Sequence, residues 1–147
     1  MFSRAAGAAN RRAAGPGRRS DTKIHATVDA LGNPLRIILT VGERADITQA
    51  EALLAGYQTD AVLADRGYDA NSLVDALQEA NVEVVIPAKK SRLECRPIDE
   101  NLYKDRNKVE RYFNKLKQYR RIATRCEKTA SSFVGFIYLA SAMILLL

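Results

Sequence analysis

Ala61-Val-Leu-Ala-Asp65-Arg-Gly-Tyr-Asp69 opens with four apolar residues in an unbroken run that stops at an aspartate. A run this short and continuous is the pattern of a strand buried on both faces, in a sheet covered by helices on either side. Working outward, Lys23–Val28 and Leu35–Val41 are rich in β-branched and apolar residues, and Gly32-Asn33-Pro34 between them supplies turn chemistry. They predict an antiparallel hairpin. Asp46-Ile-Thr-Gln49 has the form of a helix start, with Ile47, Ala50, Leu53 and Leu54 at helical spacing. On the other side, a helix from near Asn71 places Leu73, Val74, Leu77 and Ala80 inward, and Val82–Ile86 is a further strand closed by Pro87. Lys89 to Leu102 is polar and irregular, a loop leading to a helix over Tyr103–Lys117. Strands alternating with helices predict an α/β layer structure.

The chain has 147 residues, one domain's worth, and a formal charge of +6. Its basic surplus is concentrated at Arg4–Arg19 and Lys104–Lys128, a distribution suited to nucleic acid and equally open to being a solvated surface. Two cysteines, Cys95 and Cys126, and one histidine, His25, indicate neither a zinc site nor a disulfide framework, which fits a reducing cytoplasm. Residues 1–20 lack the apolar core of a signal peptide and read as a flexible basic arm, leaving 21–147 as the folded domain. The apolar run Phe133–Leu147 falls short of the roughly 20 residues that cross a bilayer. It is expected to be a buried core helix, with no membrane partner.

Within Tyr103-Lys-Asp-Arg-Asn-Lys-Val-Glu-Arg-Tyr-Phe-Asn-Lys-Leu-Lys117, helical geometry puts Tyr103, Arg106, Glu110 and Lys117 on one stripe. Val109, Tyr112, Phe113 and Leu116 form the apolar face beside it, so the stripe lies at the edge of the packed surface. Glu110 reads either as a carboxylate aimed at a ligand or as an i,i+4 partner for Arg106. Asp65 reads either as a ligand-binding carboxylate beyond a strand end or as a turn aspartate before Gly67.

The spacing Tyr-x2-Arg-x3-Glu-x6-Lys resembles that of insertion-sequence transposases of the IS4 and IS5 type, whose nuclease domains carry an Asp-Asp-Glu triad. Lys23–Arg36, Val62–Asp69 and Arg120–Arg125 resemble further segments of that family in the same order, so the likeness runs from about Asp21 to the C-terminus. It implies a ribonuclease H-like mixed sheet with flanking helices. It also implies cutting and joining of DNA phosphodiesters, with two magnesium ions held by carboxylates, of which Asp65 and Glu110 would be two. Arg106 and Lys117 would hold DNA phosphates, Tyr103 would orient the scissile strand or pack at the helix start, and Arg120, Arg121 and Arg125 would extend the positive surface. A homo-oligomer is left open.

In the family, the first Asp lies on a strand before the Lys23-Ile-His25 hairpin. The corresponding Met1–Ser20 contain no acidic residue. The expectation is therefore a truncated or frame-shifted copy lacking the first strand, with a catalytically inactive DNA-binding remnant as the alternative. Asp29 is expected in the hairpin turn rather than as a substitute carboxylate. His25 is expected to be a strand residue with a hydrogen-bonding partner. Lys23 is left as a possible DNA contact.

Overall fold

The structure, a computed structural model, describes residues 6–13, 22–124 and 129–146, the first segment by its backbone. In chain order the elements are β1 (Ala6–Ala13), β2 (Thr22–Val28), β3 (Pro34–Val41), a 3-10 turn over Asp46–Gln49 entering α1 (Ala50–Leu54), and β4 (Ala61–Ala64). A 3-10 turn over Arg66–Tyr68, α2 (Asn71–Glu79), β5 (Glu83–Val85), α3 (Glu100–Lys104), α4 (Asn107–Gln118), α5 (Arg120–Ala123) and α6 (Ala130–Leu146) follow. The strands form one mixed sheet in the order β3-β2-β1-β4-β5. β1 runs antiparallel to β2 and parallel to β4, and β5 runs parallel to β4. This is the ribonuclease H-like arrangement the resemblance implied.

The expectation that the first strand is absent is corrected by β1, which occupies the centre of the sheet. Ala-Gly-Ala-Ala-Asn-Arg-Arg-Ala has none of the β-branched or aromatic residues that mark a strand in sequence. It pairs over seven residues with β2 and over three with β4, so ladder hydrogen bonds on both sides override weak intrinsic preference. The strand is present, but none of its residues is acidic. The remainder of the expected arm, and Asp21, Arg125, Cys126 and Lys128, lie outside the described residues.

The hairpin forms as predicted, with Thr22 opposite Val41 and Ile24 opposite Leu39. Asp29 belongs to its turn: its carboxylate accepts the N–H groups of Leu31 and Asn33 and the side-chain amide of Asn33. Gly32 there takes φ +90°, which glycine adopts without strain.

Alternation along β2 divides the core. Ile24, Ala26 and Val28 pack against Val109, Tyr112, Phe113 and Leu116 of α4 and Phe133 and Ile137 of α6. Lys23, His25 and Thr27 are equally buried but face the layer of α1, where the Thr27 hydroxyl donates to the Leu53 carbonyl at 3.3 Å. β4 likewise sends Val62 and Ala64 into a cluster with Leu53, Leu73 and Leu77, and Ala61 and Leu63 toward Leu102 and Tyr103.

Three expectations about helices change. α2 ends at Glu79, so Ala80 is exposed rather than inward, and Asn81 follows in the left-handed region at φ 56°. The helix expected over Tyr103–Lys117 is two helices, α3 capped by Asp99, whose carboxylate accepts from Asn101 and Leu102, and α4 beginning at Asn107. Between them the backbone tightens to i,i+3 hydrogen bonds at Asp105, Arg106, Lys108 and Val109. α6 buries Phe133, Ile137 and Ala140, whereas Tyr138, Leu139, Met143, Leu145 and Leu146 stay exposed, so it is a core helix on one face only. Among the described residues no helix is long and apolar enough to cross a membrane.

Candidate active site

Asp65 leaves β4 with extended backbone (φ −80°, ψ 175°), and its Oδ1 accepts the N–H of Gly67 at 2.8 Å, capping the short 3-10 turn. The turn reading of this residue is therefore correct as geometry, and it holds the carboxylate at the strand's C-terminal end. Burial raises its carboxyl above the ordinary 3.8; the Gly67 N–H lowers it, Asp46 raises it further, and the charges of Arg106 and Lys23 lower it, leaving a net rise.

Arg106 links this position to Glu110. Its Nη2 donates to Glu110 Oε1 at 2.6 Å, and its guanidinium lies 5.4 Å from the Tyr103 ring centroid. The i,i+3 tightening between α3 and α4 makes this possible, because residues three apart are eclipsed in a 3-10 turn, setting Tyr103 beneath Arg106. Tyr103 also packs against the cluster of Ala61, Leu63 and Val85, so the packing reading of this residue holds. Arg106, at the α3–α4 junction, thus pairs with Glu110 on one side, and its charge reaches Asp65 at the β4 end.

Lys117 is exposed on α4, seven residues beyond Glu110 and about 10 Å further along the axis at 1.5 Å per residue. The chain turns at Tyr119 (φ −81°, ψ 102°), so Arg120 and Arg121 belong to a separate short helix. Both are exposed, and the Arg121 guanidinium stacks 4.9 Å from the Phe136 ring centroid. An apolar groove of 180 Å³ between α5 and α6 is lined by Ile122, Leu139 and Met143 and contains neither Asp65 nor Glu110.

Sequence reasoning missed two residues that shape the site, Asp46 and Asp69. Asp46 opens the turn before α1, and its carboxylate forms an ion pair with Lys23. Its Oδ2 stands 2.7 Å, and Asp65 Oδ1 2.9 Å, from where a Cβ on Gly67 would lie. Lys23 is 9 % exposed and committed to Asp46 and the Arg44 carbonyl, so its place is inside the fold rather than on a DNA-facing surface. His25 has the partners expected of a buried strand histidine, Thr40 Oγ1 at 2.8 Å and the Tyr68 hydroxyl at 3.4 Å. Burial keeps its imidazole below the usual histidine range, the nearby Asp46 only partly opposing that.

Asp69 is the second. Its carboxylate accepts the Lys89 N–H at 2.8 Å, Arg92 Nε at 2.7 Å and Arg96 Nη2 at 2.7 Å, fastening the loop after β5 to the segment that carries Asp65. No spacing rule announces such partners, which lie 20 to 27 residues further along the chain. Among the described residues, no three of the His, Cys, Asp and Glu side chains stand close enough to share a metal ion.

Comparison with known proteins places this geometry. The family profile described as Transposase DDE domain matches residues 3–146. The chain is 48 % identical over 126 residues to the transposase assigned to insertion sequence element IS6501 of Brucella ovis, covering 84 % of this chain and 96 % of that protein. It is 32 % identical over 138 residues to the one assigned to IS402 of Burkholderia cepacia, covering 86 % of this chain and 63 % of that protein. The fold is similar to the catalytic core domain of BIV integrase, with a TM-score of 0.50 at 12 % identity, over 95 % of this chain and 81 % of that one.

Proposed function

The chain belongs to the DDE transposase family, and on that premise we propose that it cleaves and rejoins transposon-end DNA, with Asp65 and Glu110 at the reacting phosphodiester. The observation that supports this reading is Arg106, which pairs with Glu110 at the start of α4 while its charge reaches Asp65 at the end of β4. The spacing of Tyr103, Arg106, Glu110 and Lys117 supports assignment to the IS4 and IS5 types.

Asp65 and Glu110 are hard oxygen donors of the type a magnesium ion accepts, and they would hold it. The chemistry such an ion would supply to these two carboxylates is Lewis-acid stabilisation of the attacking and leaving oxygens. The chain's own groups do the rest. Arg106, fixed between Tyr103 and Glu110, presents its remaining N–H groups to phosphate oxygens, and Lys117 provides a mobile point charge further along α4. Tyr103 helps orient the scissile strand through the same stack. Arg120 and Arg121 extend the backbone-binding surface without reading sequence. The setting is the cytoplasm, and assembly as a homo-oligomer is part of the proposal.

Nicking of supercoiled plasmid in the presence of magnesium tests the reading. The purified chain is expected to nick, and Glu110→Ala to abolish nicking while retaining salt-sensitive DNA binding. A second reading, DNA binding without cleavage, is favoured by the lack of any acidic residue in β1. Intact binding with no nicking by the parent chain would select it.

A further inference from the structure

β1 lies directly beside β4, with Ala8 opposite Ala64, so its register carried one residue further sets Ala9 abreast of Asp65. The central strand therefore brings no carboxylate to the place where Asp65 projects. One arrives instead from the opposite layer.

We infer that Asp46 is a positioning residue for Asp65, holding its carboxylate in place and supplying the negative charge that β1 lacks. This rests on the reading of Asp65 as a cation ligand. Asp46 Oδ2 and Asp65 Oδ1 converge on Gly67 to within 2.7 and 2.9 Å of the point a Cβ there would occupy. Both side chains are held. Asp65 Oδ1 is bound by the Gly67 N–H at 2.8 Å. Asp46 is anchored by Lys23, whose Nζ also donates to the Arg44 carbonyl at 3.3 Å, and its Oδ1 lies 4.0 Å from His25 Nδ1. His25 is in turn fixed by Thr40 and Tyr68, the latter in the same short turn as Gly67. β2, the turn before α1 and the turn after β4 are thereby joined around the two carboxylates. A methyl group at 67 would press on both oxygens at once, so glycine there leaves room for the two carboxylates.

Like charges placed this close repel, which is an unprofitable arrangement for stability alone. It becomes favourable when a cation shares the field, and Lys23 and Arg106 provide the balancing charge without one. Removing the Asp46 charge would leave the Lys23 ammonium next to the site and oppose cation binding.

The test is manganese(II) binding by the full chain, read from loss of the free-ion electron paramagnetic resonance signal, with thermal unfolding run on each variant. Asp46→Asn preserves shape and removes charge, and is expected to weaken binding about tenfold or more, as Coulomb interaction at this range allows. Asp46→Glu, which restores the charge, should recover much of the loss. Gly67→Ala keeps both charges but forces the oxygens apart, and should weaken binding with a folded chain; it decides the matter if Asp46→Asn does not fold. Parent-like binding in a folded Asp46→Asn, or in Gly67→Ala, overturns the inference while Asp65→Asn and Glu110→Gln still lose the ion. Parent-like binding in Asp65→Asn and Glu110→Gln would instead remove the cation reading on which it rests.

Discussion

Asp69 has a fully buried side chain, and a carboxylate out of water persists only where charge and hydrogen bonds replace hydration. Burial alone would raise its carboxyl, but the Lys89 N–H and the Arg92 and Arg96 guanidinium groups outweigh that and hold it below the ordinary value of 3.8. A folded-state pKa below the unfolded one contributes stability that is complete above the unfolded value and is lost as pH falls through the folded one. Asp69→Asn is therefore expected to be less stable than the parent at neutral pH, with the gap closing in strong acid; urea unfolding at the two pH values measures it, and a constant gap would contradict the assignment. Asp69→Ala should cost about 3–5 kcal/mol, because two arginines lose their partner. His25 acts in the same direction at higher pH: held below 6.5 by burial, it favours unfolding as pH drops and the unfolded chain takes up the proton.

At the scale of elements, α4 shows how a helix can be legible in sequence and still be placed by its neighbours. Its apolar face of Val109, Tyr112, Phe113 and Leu116 follows from helical spacing, and all four are buried. Its start does not follow, because the i,i+3 bonds at Asp105–Val109 reflect how the chain passes from α3, packed on β4 and β5, to α4, packed on β2. α6 is joined to α4 by a buried hydrogen bond between the Tyr112 hydroxyl and Ser141 Oγ at 2.7 Å. Burial pushes the Tyr112 phenol up to about 12, the Ser141 bond partly opposing that rise, so it stays protonated at neutral pH. Tyr112→Phe should destabilise the chain by about 1 kcal/mol, the usual net value of one such bond. The loss stays near that figure because Ser141 Oγ still donates to the Ile137 carbonyl at 2.7 Å. Denaturant unfolding gives the number, and a loss of several kcal/mol would mean that the α4–α6 seam depends on the hydroxyl for more than this bond.

For the whole molecule, whose net charge is +6, the proposed function assigns the exposed cations of α4 and α5 to DNA phosphates. Replacing Lys117, Arg120 and Arg121 by alanine should lower the slope of log affinity against log salt by about 0.9 for each phosphate contact removed. Fluorescence anisotropy over a salt series reads this directly, and an unchanged slope would move the DNA surface elsewhere on the chain. Local patterns determined the hairpin, the Asp29 turn, β4 with its terminal Asp65, α2, β5 and the Arg106–Glu110 pair, because each depends on residues two to four apart and so leaves a period in the sequence. The same patterns announced the DDE transposase family through the spacing of Tyr103, Arg106, Glu110 and Lys117. Tertiary structure alone decided that Ala6–Ala13 is the central strand, that Asp46 and Lys23 meet beside Asp65, that Asp69 fastens the loop carrying Arg92 and Arg96, and that half of α6 stays exposed. Those outcomes depend on partners well beyond one turn or one hairpin loop, from nine residues for Ala13 and Thr22 to 56 for Ala8 and Ala64, brought together by sheet pairing and burial, and such contacts impose no periodicity on the chain that makes them.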